Sequence, residues 1–200
     1  TYGYPRELTE EIASDQGYTI DEAGFEREME AQKERARAAR GAEQSMHGQS
    51  KDLMDFTEES KFTGYTDSHS TGKVIGLFKN GIKVDSLSDS GDVILSETCF
   101  YAESGGQCAD TGKVWNDTFK ADVTDVQKAP HKQPLHHLEN IEGTLHVGDT
   151  LEGEYDYAAR QRTRANHSSL HLLQAALKEV LGDHIAQAGS YNCPEYGRFD

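Results

Sequence analysis

Long apolar runs are missing from this 200-residue chain, and no segment approaches the roughly 20 consecutive apolar residues that a bilayer-spanning helix needs. Cysteine is scarce. Cys99, Cys108 and Cys193 are the only three, with no Cys-x-x-Cys spacing, which argues against a disulfide scaffold and suits a reducing cytosol. Cys99 and Cys108 read as small buried thiols or, less simply, as two ligands of one metal. Basic residues are outnumbered: 20 Lys and Arg against 35 Asp and Glu leave a formal net charge of −15. Such a field repels phosphate at long range, so any contact with nucleic acid has to come from a local cluster of Lys and Arg. No initiating Met, basic-then-apolar leader, internal repeat or low-complexity tract is present. The expectation is an internal piece of a longer protein.

What remains is a globular composition, 35% hydrophobic and 28% charged. It is enough for one domain with a core, or for a small domain plus a helical arm. Residues 1–50 read as helical. Pro5 suits a first helical position, Arg6 to Ala13 is rich in helix formers, and Gly17 fits just past the end. Thr19-Ile20-Asp21-Glu22 has the form of a capping box for a second helix, which runs through Phe25 and Met29 into the basic stretch Glu34 to Arg40. That stretch is either a solvated face or an RNA contact. Residues 41–60 are polar and weakly patterned, the best linker candidate.

The texture then changes. Lys73 to Phe78, Ile82 to Val84, Asp92 to Leu95, Gly112 to Trp115, Phe119 to Val123, Gly143 to Val147 and Leu151 to Tyr155 are short β-type segments. Asn80-Gly81, Ser90-Gly91 and Gly148-Asp149 punctuate them. Such spacing predicts a small antiparallel β-barrel, within residues 51–155. Beyond it, Asp156 is placed to cap a short helix through Arg162. Asn166 is placed to cap a second over His167 to Leu181, closed by Gly182, with Leu170, Leu173, Leu177 and Val180-Leu181 at helical spacing.

His167 and His171 are the sharpest chemical feature. An i, i+4 pair stacks two imidazoles on one helix face, a spacing that lets both reach one Zn²⁺, though a tetrahedral site needs further ligands from elsewhere. Ser168 follows the first His, so the pair is not the HExxH of a metalloprotease. Packed or surface histidines are the plainer alternative. In Tyr101-Ala102-Glu103-Ser104-Gly105-Gly106-Gln107, paired glycines allow close backbone approach to a ligand beside the polar Glu103 and Gln107, or form an ordinary tight turn. His131, His136 and His137 read as histidines of a loop carrying Pro130 and Pro134. Arg160, Arg162 and Arg164 form the one basic cluster beside a candidate site, to meet a phosphate backbone or to solvate the helix.

These pieces occur together, in order, in alanyl-tRNA synthetases. Thr1 to Pro5 with Glu7 to Ala13 and Ile20 to Phe25 resembles the end of that family's tRNA-recognition region. Phe100 to Gln107 with Asp110-Thr111-Gly112 resembles the glycine-rich motif that opens its editing region. Asn166-His167-Ser168, His171-Leu172-Leu173, Gln187-Ala188-Gly189-Ser190 and Arg198-Phe199-Asp200 resemble the editing core. The resemblance spans nearly the whole chain. It implies an α+β protein: the helical end of the tRNA-recognition region (1–50), a β-barrel with the glycine-rich motif (51–155), and the start of a zinc-containing editing domain (156–200).

It also implies a function. A pocket for alanine cannot exclude glycine by size and rejects serine poorly, a limit that synthetases meet with a second, hydrolytic site. The expected activity is ligation of alanine to tRNA(Ala) with ATP and Mg²⁺, both bound outside this segment, and hydrolysis of mischarged Ser- and Gly-tRNA(Ala) here. Zn²⁺ would be held by His167 and His171 with a Cys and a His beyond Asp200, so the 200 residues alone are expected not to edit. Gln187 matches the pocket glutamine, and Glu103, Gly105 and Gly106 match the glycine-rich motif. Arg160, Arg162 and Arg164 are the expected tRNA contacts. Leu170 stands where Thr is usual, and losing that hydroxyl weakens serine recognition or changes how it is achieved. Cys99 replaces a usual Pro, and Ser169 a usual Ala. A cytoplasmic protein without membrane or DNA partners is expected. The alternatives are a free-standing editing protein, which has no need of Thr1 to Phe25, and a non-catalytic tRNA- or zinc-binding module, which Leu170 favours.

Overall fold

Alternation of small or apolar residues with polar ones builds the central feature, a closed ring of six strands. The computed structural model describes residues 6–21, 24–31 and 50–200. The chain divides into two units, Thr1–Ser45 and Met46–Asp200. In the first, the helix Arg6–Asp15 ends as expected at Gly17, whose positive φ lets Tyr18 N bond back to Ala13 O at 2.8 Å. Residues 24–31 are also helical. Asp21, rather than Thr19, caps this helix: its carboxylate accepts from Gly24 N at 2.9 Å. Thr1 to Pro5, Glu22, the basic stretch through Arg40 and residues 41–49 of the expected linker lie outside the described residues.

The second unit carries strands β1 (Lys61–Phe62), β2 (His69–Lys79), β3 (Ile82–Val84), β4 (Ser86–Leu87), β5 (Gly91–Leu95), β6 (Glu97–Thr98) and β7 (Gly112–Trp115). These are followed by β8 (Lys120–Lys128), β9 (Pro134–Glu142), β10 (Leu145–His146), β11 (Thr150–Tyr155), β12 (Ser190–Asn192) and β13 (Gly197–Phe199). The barrel runs β2-β5-β9-β8-β7-β11 and closes back on β2, every neighbouring pair antiparallel. In β11 the buried Leu151, Gly153 and Tyr155 alternate with exposed Thr150, Glu152 and Glu154, the period-two pattern that fixes register. Asn80 and Gly81 both take positive φ (52° and 78°) and turn β2 into β3, as a two-residue hairpin turn requires. Val74, Leu77, Val93, Leu95, Phe100, Val114, Val123, Leu138 and Leu151 belong to one buried cluster. The short helix Lys51–Asp55, capped by Ser50, starts a second: Leu53 and Phe56 pack on Phe78, Ile94 and Leu135. Covered on both faces, β5 is buried at every residue.

Two readings of the sequence change here. His136 and His137 sit in barrel strand β9, not in a loop, and only His131 lies in the connecting turn. His136 is fully buried. Its ring bonds Val93 O at 3.0 Å and Thr98 Oγ1 at 2.8 Å, which satisfies both nitrogens inside the core. The two expected helices after Asp156 are one, Tyr157–Leu181, with Asp156 as cap. Asn166 lies inside it and gives its side-chain amide to Cys193 O at 2.8 Å. No described helix is long and apolar enough to cross a membrane.

Candidate functional site

The glycine-rich segment leaves β6, buries Phe100 in the core and folds back at Ser104–Gln107, where the two backbones exchange hydrogen bonds of 3.1 and 3.0 Å. Gly105 and Gly106 occupy the turn with φ of 59° and 78°. The second approaches Ser190 so closely that a Cβ there would lie 2.4 Å from its carbonyl oxygen. That approach lets Asn192 N reach Gly106 O at 2.6 Å and Cys108 N reach Asn192 O at 2.9 Å. The motif is therefore both a tight turn and a docking edge for β12.

The helix Tyr157–Leu181 meets this loop along one face. Arg160 in its first turn is 5% exposed. Its Nε donates to Asp110 Oδ1 at 2.6 Å, Nη2 donates to Asp110 Oδ2, and Nη1 donates to Gly64 O at 3.0 Å. The guanidinium also lies 4.3 Å from the Tyr155 ring centroid. One turn on, Thr163 is buried; the next brings His167 and then His171. His167 Nδ1 is 2.9 Å from Gln107 Oε1, and the two imidazoles stack with centroids 5.1 Å apart and planes 23° apart. The i, i+4 geometry thus holds in the fold and faces the glycine-rich motif. Among the described residues no group of three or more His, Cys, Asp and Glu side chains comes together to hold a metal. The pair supplies two imidazoles and nothing more.

The other expected site residues are dispersed. Leu170 is half-buried, and a Cβ added at Gly197 would lie 3.2 Å from its Cγ. Gln187 is exposed on the segment between the long helix and β12. Glu103 is exposed, its backbone N bonded to Val126 O at 2.9 Å and its carboxylate 3.4 Å from Gln127 Nε2. Arg160 departs from the expected phosphate contact, since its donors are used inside the fold. Arg162 and Arg164 are exposed. Helical geometry explains the split between neighbours, because Arg162 is about 200° around the axis from Arg160.

Beside the loop lies a cleft of about 420 Å³ lined by Glu103, Asp110, Asp125, Asp156, Arg160, Arg162, Tyr191 and Glu195 among others. Apart from Asp110, which Arg160 neutralises, its carboxylates make it acidic, a wall that repels phosphate and leaves Arg162 as the surface cation. Burial pushes the Cys108 thiol and the Tyr191 hydroxyl above their usual pKa, so both stay neutral at physiological pH. Two residues gain structural roles that the sequence marked only as motif members: Gln107, which bonds the first histidine, and Asp110, which anchors the helix. The signal for Asp110 was its place in Asp110-Thr111-Gly112, where a carboxylate between strand segments needs a partner.

A family model described as tRNA synthetases class II (A) matches residues 1–159. Curated relatives include alanine–tRNA ligases of Listeria monocytogenes serovar 1/2a (47% identical), Geobacillus kaustophilus (48%) and Lysinibacillus sphaericus (45%), each aligned over the whole of this chain. The alignment covers 23%, 23% and 22% of those proteins. The chain thus spans under a quarter of the length of the relatives it matches.

Proposed function

The chain belongs to the class II (A) tRNA synthetases, and from that premise we propose that it is the editing-side segment of an alanine–tRNA ligase. In this reading the whole protein joins alanine to tRNA(Ala) using ATP and Mg²⁺ bound outside these residues, and works in the cytoplasm. Residues 1–50 are the helical end of the tRNA-recognition region, 51–155 the barrel, and 156–200 the start of a zinc-containing editing domain that clears Ser- and Gly-tRNA(Ala). Identity of 45–48% along the whole chain to proteins of that name supports the ligase part.

One observation carries the editing part: His167 and His171 stand stacked on one helix face, with Gln107 of the glycine-rich loop bonded to the first. The donor chemistry fits Zn²⁺, since neutral imidazoles at this spacing can both reach one ion. Such a metal would polarise the ester carbonyl or activate water for its hydrolysis. The chain's own residues do the rest. His167 and His171 hold the ion, Gly105 and Gly106 bring backbone close to the incoming tRNA end, and Gln187 and Leu170 border the amino acid. Arg162 and Arg164 meet the tRNA backbone, while the acidic cleft confines phosphate to their side. Hydrolysis of seryl-tRNA(Ala) by the full-length protein, compared with His167→Ala, tests this reading. A second reading, a zinc- and tRNA-binding module without hydrolysis, is favoured by Leu170, a hydrocarbon packed near Gly197 where the resemblance expects a hydroxyl. Zinc binding without serine release would select it.

A further inference from the structure

We infer that Gln107 is a positioning residue for the metal ligand His167, fixing which ring nitrogen carries the proton. The inference rests on the zinc reading above and goes beyond it, since Gln107 touches neither metal nor substrate in that scheme. The geometry is specific. Gln107 is 8% exposed, and its backbone is clamped on both sides, by the Ser104 turn and by a bridge to Asn192. Its amide oxygen lies 2.9 Å from His167 Nδ1. An amide oxygen only accepts, so His167 Nδ1 is the donor in this bond. The proton therefore sits on Nδ1 and the lone pair on Nε2, on the other side of the ring from Gln107. That is the tautomer a metal requires of a ligand bound through Nε2, and its orientation is set before the metal arrives.

The arrangement also gives the glycine pair a chemical consequence. Gly106 brings the loop against β12, and the residue after it is the one that reaches the histidine. A carboxamide suits the task in an acidic surround: it accepts a hydrogen bond without adding another negative charge to the cleft that holds Glu103, Asp125 and Glu195.

The test is zinc affinity of the full-length protein, measured by chelator competition, in a double-mutant cycle of Gln107 and His167. Gln107→Leu is expected to weaken zinc about 10- to 100-fold, the size typical of removing a partner that orients a ligand. Gln107→Glu, which keeps an acceptor in place, is expected to restore affinity to near the parent value. In the His167→Ala background Gln107→Leu should cost nothing further, because the residue acts only through that ring. A loop that simply collapses without Gln107 would weaken zinc in both backgrounds, and that result overturns the inference. Zinc affinity indifferent to Gln107→Leu in the parent also overturns it, leaving the zinc reading intact. If the parent itself binds no zinc, both fall together.

Discussion

The Arg160 guanidinium and the Asp110 carboxylate form a buried two-point ion pair between the first turn of the long helix and the segment just after the glycine-rich loop. Asp110 also accepts from Tyr101 N at 2.8 Å, so one carboxylate fixes the loop's entry and the helix together. His167 rides on that same helix face. The position of the histidines is thus set by a contact two turns away from them.

Breaking that pair should therefore be costly. Asp110→Ala leaves an uncompensated cation among Tyr101, Tyr155 and Gly64, and the expected loss is about 3–5 kcal/mol. Thermal or urea unfolding reads it directly. Replacing both partners with apolar residues should lose clearly less than Asp110→Ala alone, because no charge is then stranded.

The glycine pair makes a graded prediction. Gly105 has open space around its missing Cβ, so Gly105→Ala should cost only the left-handed backbone penalty, about 1–2 kcal/mol. Gly106→Ala carries the same penalty and also drives a Cβ to 2.4 Å from Ser190 O. It should destabilise more and loosen β12, seen as faster amide exchange at Cys108 and Asn192. Equal effects of the two substitutions would show that β12 does not dock on Gly106.

Neighbouring histidines should oppose each other in acid. Burial holds His136 down to about 4, from an ordinary 6.5. The unfolded chain therefore binds the extra proton between pH 6.5 and 4, and stability present above 6.5 is lost as pH falls through that window. The total is roughly 3 kcal/mol. His137 is raised above 6.5 by its bond to Asp92, at 2.8 Å. Its contribution is full below 6.5 and fades as pH rises through its folded value. His136→Asn should flatten the acid slope of the urea midpoint, and His137→Asn should leave that slope and remove the fading above pH 6.5.

Much of the barrel was legible in the sequence because its strands obey simple rules. Leu151 to Tyr155 alternates, and Asn80-Gly81 supplies the two positive φ angles a hairpin needs. Strand β9 was not legible, since Pro134-Leu135-His136-His137 has no alternation and places an imidazole in the core. Only Val93 O and Thr98 Oγ1, 43 and 38 residues away, make that burial tolerable. Asn166 misled in the same way: a residue suited to caps lies inside the helix because its amide finds Cys193 O. The histidine pair was legible from spacing alone. Its bond to Gln107 was not, because contact across 60 residues is a property of the fold.

Arg162 and Arg164 now stand apart from Arg160. Replacing both with Ala should weaken binding of tRNA(Ala) by the full-length protein and flatten its log–log salt dependence by about 1–2, with little change in stability. Changes at Arg160 should act mainly through unfolding. Unchanged binding in the Arg162 and Arg164 double variant would remove this face from the tRNA contact.

The central claim is tested most directly by hydrolysis of seryl-tRNA(Ala) by the full-length protein, with alanyl-tRNA(Ala) as the spared control. The account predicts rapid release of serine that is lost in His167→Ala while aminoacylation with alanine persists. Serine release that survives His167→Ala, or no release from the parent protein with zinc bound, would contradict it.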